Sequence, residues 1–294
     1  MAATRDALAN GKDSPEGRIA MEWLIPAALT GVIILLLIRL HRISRRESRR
    51  RMDCFSTEAR QVFRQWNKSD LCKDLEDVHE KLRGRRIAAI KYGDPAKLSA
   101  NERTRLNCEL MRQALLHRAE RLLVSSGTML LEKNVYGLAL IVRGHLEGTA
   151  VLGYLCDRLK SVAAGNIPFE KFEWDVADAV MGAKHDVFSE ANPPPNILTS
   201  IEKADRFLDD DYFEEKRQIL QDAYNWLSEF AHPNYLSNSS AFKLDKPTQS
   251  FVFRHDSDLQ ESDFEVVSYL WVSAELFVIL FDRLEKQADE VLAA

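Results

Sequence analysis

The feature that most constrains this chain of 294 residues is an uncharged apolar segment near its start, WLIPAALTGVIILLLI, residues 23–38. With the residues on either side it reaches the roughly 20 residues that a helix needs to cross a bilayer. Pro26 and Gly31 are tolerated in membrane helices, and Trp23 is typical of the membrane–water interface. The segment therefore predicts a transmembrane helix over residues 21–40.

The residues after this segment predict its orientation. Residues 39–51 hold seven arginines and one glutamate, a net charge of 7 − 1 = +6, which leaves −5 − 6 = −11 for the rest of the chain. Positive charge stays on the cytoplasmic side, so we expect a single-pass protein of the cell inner membrane, with its N-terminus outside and its C-terminal domain cytoplasmic. The arginines expected to contact anionic lipid headgroups are Arg39, Arg42, Arg45, Arg46, Arg49, Arg50 and Arg51.

Other interpretations of the N-terminal region fit less well. A cleavable signal peptide has a basic start and no such arginine cluster after it, and a buried core helix is seldom followed by one. A nucleic-acid patch is the alternative for the arginines, but they follow the apolar segment directly, which favours the membrane. The predicted organisation is a disordered tail (1–20), a signal anchor (21–40), a basic juxtamembrane segment (41–52) and a cytoplasmic domain (53–294). Met21 is an alternative start.

The cytoplasmic domain is predicted to be an all-α helical bundle with one small β-hairpin. Apolar residues recur at helical spacing from Ser56 onwards, Ser99 is a candidate N-cap, and the helix that begins at Val135 is apolar on nearly all sides, which is typical of the centre of a bundle. The predicted helices cover about 56–66, 69–84, 102–124, 135–159, 169–183, 197–208, 212–230 and 262–291.

Two further segments need separate interpretation. In residues 241–255 apolar and polar side chains alternate on either side of Lys-Pro-Thr-Gln, which predicts a hairpin, and a hairpin this small needs a helix to lie on. The last helix, 262–291, is apolar enough to suggest a second membrane span. Because Glu275 interrupts its uncharged stretch, a core helix of the bundle is the preferred interpretation.

The predicted central helix carries three polar side chains, Arg143, His145 and Glu147. Arg143 and Glu147 are four residues apart and lie on one helix face, so they can pair, while His145 points elsewhere. A charge buried in so apolar a helix requires a partner. The functional interpretation is a polar site that these residues form with the Tyr224–Asn234 segment; the structural one is an ion pair that fixes helix register.

His232 is the third candidate catalytic residue, with Arg143 and Glu147. It precedes Pro233, so the helix before it should end near Phe230. It either caps that helix end or acts as a general acid or base, for which histidine has a suitable pKa. No HExxH motif, close His/Cys pairing or phosphate-binding glycine loop occurs, so neither a metal nor a cofactor is expected. Four scattered cysteines suit a reducing compartment.

The motifs IVRGHLEG and YNWLSEFAHPNY resemble those of uncharacterised bacterial helical proteins, and of the wider HEPN (higher eukaryote and prokaryote nucleotide-binding) class, over residues 102–284. The resemblance implies a helical bundle and, for catalytic members, RNase activity in toxin or antiphage systems. The catalytic motif is an arginine, four to six residues and a histidine. Residues 225–227, which lie upstream of His232 at this spacing, include no arginine. Arg112 and His117 do have the spacing, but a chain with this many arginines is expected to contain such a pair by chance.

The sequence therefore suggests two alternative functions. The first is a non-enzymatic binding or scaffold protein held at the membrane, in a bacterial defence or stress system, whose partners are the lipid bilayer and a protein partner or a second copy of itself. The alternative is a HEPN-type RNase or nucleotide-modifying enzyme that uses RNA and the residues His232, Arg143 and Glu147. A cluster of these three around an open cleft would favour the enzyme.

Overall fold

The structure is a computed structural model of the chain, and it describes residues 53–91, 93–94, 97–188, 190–213, 215–253 and 259–292. The predicted tail (1–20), transmembrane helix (21–40) and basic segment (41–52) lie outside the described residues. From Cys54 onwards the chain forms one compact unit.

The described part of the chain is a helical bundle with one two-stranded antiparallel sheet, as the sequence predicts. A 3-10 turn occurs at Asp186–Phe188. In chain order the elements are α1 (Thr57–Gln65), α2 (Ser69–Arg83), α3 (Ala100–Leu131), α4 (Val135–Ala163), α5 (Phe169–Met181), α6 (Ile197–Tyr212), α7 (Ile219–Ala231), α8 (Tyr235–Ser240), β1 (Phe242–Asp245), β2 (Ser250–Phe253) and α9 (Asp263–Leu292).

Helix α4 lies at the centre of the bundle, where its apolar sequence predicts it. It packs against α3, α5, α6, α7 and α9, and most extensively against α9 and α6. Gly153 lets α6 approach closely, because a Cβ built at this position would lie 2.4 Å from the Cβ of Ala204. Protein interiors are close-packed, so a larger side chain at residue 153 would push the two helices apart.

Side-chain caps fix helix starts that the sequence predicts. The Ser99 hydroxyl accepts a hydrogen bond from the Glu102 N–H (3.2 Å), and the Glu102 carboxylate accepts one from the Ser99 N–H (2.7 Å), which together form a capping box. The end of α3 was predicted at Val124, and this is wrong, since the helix continues to Leu131. One face of its last turns is buried, with Gly127 directly against the ring of Phe55, and this tertiary packing extends the helix.

The predicted helix over 212–230 begins later than expected. Residue Tyr212 ends α6, and α7 starts at Ile219. The carboxylate of Asp205, on α6, accepts hydrogen bonds from the backbone N–H groups of Leu220 and Gln221, both at 2.9 Å. These bonds cap α7 from a residue distant in the chain, so the sequence near the start of α7 does not reveal where it begins.

The β-hairpin has the predicted strands and turn, with residues 246–249 joining β1 to β2. A helix lies beside the hairpin, as expected, but it is short. β1 contacts the short helix α8, while Leu244 and Phe251 are 51% and 63% exposed. The short helix therefore supports the hairpin without covering its apolar side chains.

Helix α9 is, within the described residues, the one helix long and apolar enough to cross a membrane by length and composition. Of its most apolar window 61% is buried inside the bundle. Phe264, Phe277 and Phe281 are almost completely buried, and α9 is the largest packing partner of α4. Burial in the core thus accounts for the apolar character of α9.

Candidate functional site

Two of the three candidate catalytic residues, Arg143 and Glu147, meet on α4, and Tyr224 of α7 joins them. The Nε of Arg143 lies 3.3 Å from Oε1 of Glu147 and makes no hydrogen bond within the described residues, so this contact is an ion pair. The Nη2 of Arg143 donates a hydrogen bond of 2.5 Å to the Tyr224 hydroxyl. The guanidinium carbon also lies 4.6 Å from the centre of the Tyr224 ring, a cation–π contact.

The Arg143 cluster (Arg143, Glu147 and Tyr224) is partly covered. The side chains of Arg143 and Glu147 are 19% and 31% exposed, and Tyr224 is 8% exposed. The Glu147 carboxylate compensates the charge of Arg143. The hydroxyl and the ring of Tyr224 both contact the guanidinium group of Arg143. The arrangement ties α7 to the central helix, as the structural interpretation of the ion pair expects.

His232 lies apart from the Arg143 cluster in its contacts. It follows α7 with extended backbone angles (φ −114°, ψ 156°), as the following Pro233 requires. Its backbone N–H donates to the Ser228 carbonyl at 3.2 Å, and its carbonyl accepts from the Asn234 N–H at 2.7 Å. Its side chain is exposed, and no hydrogen bond or ion pair joins it to another described residue. The backbone of His232 therefore ends the helix while its imidazole faces solvent.

His145 takes part in a buried polar cluster that the sequence does not reveal. Its Nδ1 lies 2.9 Å from the Ser273 hydroxyl on α9, and the Thr149 hydroxyl lies 3.0 Å from the same oxygen. Burial, with the positive charge of Arg118 as a smaller cause, lowers the pKa of His145 to about 3. A neutral imidazole sealed between two helices serves packing and register, and no motif marks Ser273 or Thr149 as its partners.

The HEPN-like spacing of Arg112 and His117 does not produce a site. Arg112 is 3% exposed, whereas His117 is exposed. The guanidinium of Arg112 donates to the Phe281 carbonyl (3.1 Å), to Glu285 (2.9 Å) and to Glu109. Arg112 is therefore engaged in the core of the bundle, and the histidine lies outside it.

The cysteines of the described region are unsuited to nucleophilic chemistry. All four are free and buried. Burial raises the pKa of Cys72 to about 11 and that of Cys108 to about 12, and it raises the pKa of Cys54 and Cys156 further. Because the thiolate is the reactive form, these thiols stay inert at neutral pH. In the same described region, no group of three or more His, Cys, Asp or Glu side chains could hold a metal ion.

A cavity of about 290 Å³ lies between α6 and α7, and two of its acidic side chains, Asp205 and Asp209, have structural roles. Asp205 caps α7, and burial raises the pKa of its carboxyl group. Asp209 accepts a hydrogen bond from the backbone N–H of Arg217 at 3.1 Å. Arg206, a further lining residue, binds both carboxylate oxygens of Asp157 at 2.6 and 2.7 Å. These polar groups are therefore already bonded to other parts of the fold.

Comparison with known proteins adds no family to this description: no protein-family model, curated protein or solved structure matches the chain. The fold and the contacts above define an α-helical bundle with a small hairpin. The HEPN resemblance stays a prediction.

Proposed function

We propose that this chain is a membrane-anchored, non-enzymatic binding protein on the cytoplasmic side of the inner membrane, and that its β-hairpin is the surface through which two copies associate. The observation that carries the proposal is the exposed apolar face of the hairpin. The membrane location is supported by the apolar segment 23–38 and by the seven arginines in residues 39–51.

One face of the hairpin is entirely apolar. The register pairs Phe242 with Phe253 and Leu244 with Phe251. Residues directly opposite each other in an antiparallel pair project to the same side, so these four side chains share a face. The rings of Phe242 and Phe251 meet edge to face at 5.0 Å, which fixes the shape of the surface. The charged side chains of the strands, Lys243 and Asp245, belong to the other face.

This face is more exposed than a small sheet normally tolerates. Leu244, Phe251 and Phe253 are 51%, 63% and 62% exposed. A two-stranded hairpin is marginally stable by itself and gains stability when its apolar face is packed. Contiguous exposed apolar patches of this kind mark interaction sites. An uncharged face is also compatible with a second copy of itself, because an identical face brings neither a charge to desolvate nor a like charge to repel it.

A second copy of the chain fits the size of the face. Its exposed area is roughly 400 Å², about half of what each partner buries in a standard stable interface. Such a contact is too small to hold two chains together in free solution. Anchoring both copies in one bilayer raises their effective concentration and makes a small contact sufficient. The proposed association therefore depends on the anchor.

The contacts of the candidate catalytic residues support a binding role over a catalytic one. Arg143 is compensated by Glu147 and Tyr224, and the side chain of His232 makes no hydrogen bond or ion pair with these residues. General acid–base catalysis needs the acid or base to be within hydrogen-bond reach of the reacting group and oriented by neighbours. His232 has an exposed position at a helix end instead.

The experiment measures energy transfer between full-length chains that carry a donor or an acceptor dye at the C-terminus and share one bilayer. The parent should show transfer that persists on lipid dilution, and the variant Leu244→Ser/Phe251→Ser should lose it. Leu198→Ser is the matched control, since Leu198 is 52% exposed on α6, and it should retain transfer. Equal transfer in the parent and the hairpin variant would refute the hairpin as the contact.

The non-enzymatic part of the proposal is tested with RNA. The parent and His232→Ala are incubated with single-stranded and structured RNA, and neither should cleave it. Cleavage by the parent that disappears in His232→Ala, with an unchanged circular dichroism spectrum, would overturn the binding function in favour of the HEPN-type enzyme. Because His232 is exposed, the substitution should leave the fold intact.

A further inference from the structure

An open surface pocket with a net positive lining lies between α1 and α2, and it is called the basic pocket here. Its volume is about 180 Å³, which holds several water molecules and is large enough for a phosphate group. Its lining includes three cationic side chains and one carboxylate, a net charge of 3 − 1 = +2. The lining residues are Arg60, Arg64, Ser69, Cys72, Lys73 and Glu76.

The charges of this basic pocket divide into a paired and an uncompensated set. The Nε of Arg60 lies 2.5 Å from Oε1 of Glu76, and each side chain is 30% exposed, so this pair bridges the two helices. Arg64 and Lys73 form no ion pair within the described residues. The pocket therefore presents two uncompensated cations on a framework that the Arg60–Glu76 pair holds in place.

Two arginines of the lining act electrostatically on Cys72, which also lines the pocket. Burial is the main reason that the pKa of the Cys72 thiol is raised, and Glu76 raises it further, whereas the charges of Arg60 and Arg64 act in the opposite direction. Both guanidinium groups thus lie within electrostatic reach of a sulfur that lines the cavity. The Ser69 hydroxyl adds a hydrogen-bond donor to the same lining.

The local charge contrasts with the rest of the molecule. Outside residues 39–51 the chain carries −11, so an anion would be repelled over most of its surface. An arginine fork and a lysine ammonium beside a hydroxyl form the donor set that binds phosphate oxygens. We propose that this pocket binds a phosphate group, with Arg64 and Lys73 supplying the charge and Ser69 a hydrogen bond.

Two sources of phosphate fit the pocket. Arg60 follows Arg51 by only nine residues, so the pocket residues begin in the sequence soon after the segment predicted to contact anionic headgroups. A lipid phosphate is one source and a soluble phosphate compound is the other. The lipid source rests on the proposed membrane location, whereas phosphate binding itself does not depend on association of the hairpins, so the two proposals fail separately.

The test titrates the detergent-solubilised full-length chain with inorganic phosphate in one arm and with dioctanoyl phosphatidic acid in the other, followed by calorimetry. The parent should bind in at least one arm. Arg64→Ala/Lys73→Ala should weaken that binding by roughly tenfold or more, because two charge-assisted contacts are lost. Arg121→Ala/Lys184→Ala, which removes the same charge from exposed positions elsewhere, should bind like the parent.

The arms identify the source. Binding of phosphatidic acid alone assigns the pocket to a lipid headgroup, and comparable binding of inorganic phosphate assigns it to a soluble phosphate. Absence of binding by the parent in both arms would overturn the proposal. So would a pocket variant that binds as tightly as the parent, or a control variant that loses as much affinity as the pocket variant, since the effect would then report overall charge.

Discussion

Apolar side chains are usually buried and polar ones exposed, and both the buried side of helix α4 and the apolar face of the β-hairpin depart from this distribution. In α4, His145 is buried and Arg143 is largely covered, and each has partners from another helix. In the hairpin, Leu244 and Phe251 are more than half exposed. Buried polar groups that have partners specify which helices meet and in which register. Exposed apolar groups contribute little to the fold, which leaves them available for contacts outside it.

The largest expected effect comes from enlarging the tightest point of the central helix. Gly153→Ala places a Cβ 2.4 Å from the Cβ and 2.9 Å from the Cα of Ala204, so α4 and α6 must separate. We expect the free energy of unfolding to fall by about 2 kcal/mol, measured by chemical denaturation of the solubilised chain.

Gly148→Ala is the matched control on the same helix. Its new Cβ would lie 3.6 Å from the nearest atom, a methyl group of Leu115, which is ordinary contact. The gain in helix propensity should leave stability unchanged or raise it by up to about 1 kcal/mol. If both variants were equally stable, the close approach of α4 and α6 would be refuted.

The next effect is a dependence on pH that arises from His145. Burial lowers the pKa of the folded-state imidazole from 6.5 to about 3, so the unfolded state binds the proton more readily. The stabilising contribution is therefore complete above the unfolded pKa and is lost as the pH falls towards 3. As the pH falls from 7 to 5, the loss of this contribution should lower the free energy of unfolding by about 2 kcal/mol.

His145→Leu isolates this contribution. The variant lacks the titrating group, so its free energy of unfolding should fall by about 2 kcal/mol less than that of the parent over the same pH interval. The pKa of His79 is also lowered by burial, but that residue is present in both proteins and its contribution cancels. Parallel pH profiles for the two proteins would show that His145 can be protonated in the folded state.

The smallest effect on stability is expected at the hairpin. Phe251→Ser removes a ring that is 63% exposed and should change the free energy of unfolding by about 0.5 kcal/mol or less. The measurement is made in detergent at high dilution, where copies do not meet. A loss above about 2 kcal/mol would mean that the ring is buried within the folded chain, and the contrast with α4 would disappear.

The sequence predicts those parts of the fold that depend on local chemistry. The N-cap at Ser99, the apolar centre at α4 and the turn at residues 246–249 each follow from neighbouring residues. The start of α7 does not, because the carboxylate that caps it belongs to Asp205 on another helix. Tertiary hydrogen bonds of this kind leave no local sequence signal.

The candidate site was predicted in part for the same reason. The pairing of Arg143 with Glu147 follows from their spacing of four residues, whereas the contact with Tyr224 depends on how α7 packs. The Arg112–His117 spacing matches a motif, but burial separates the two side chains. The basic pocket had no motif, because its residues come from two helices and only the turn between them brings Arg64 and Lys73 to one cavity.

Helix α9 follows all the other described helices along the chain, and this order has a consequence for biosynthesis. Arg112 on α3 donates to the Phe281 carbonyl, a partner 169 residues later, and α9 supplies the largest packing surface of the central helix. A ribosome must therefore synthesise the chain through α9 before the interior can close. Until then the apolar faces of α3 and α4 remain exposed to chaperones and proteases. A chain truncated before residue 263 should therefore be degraded.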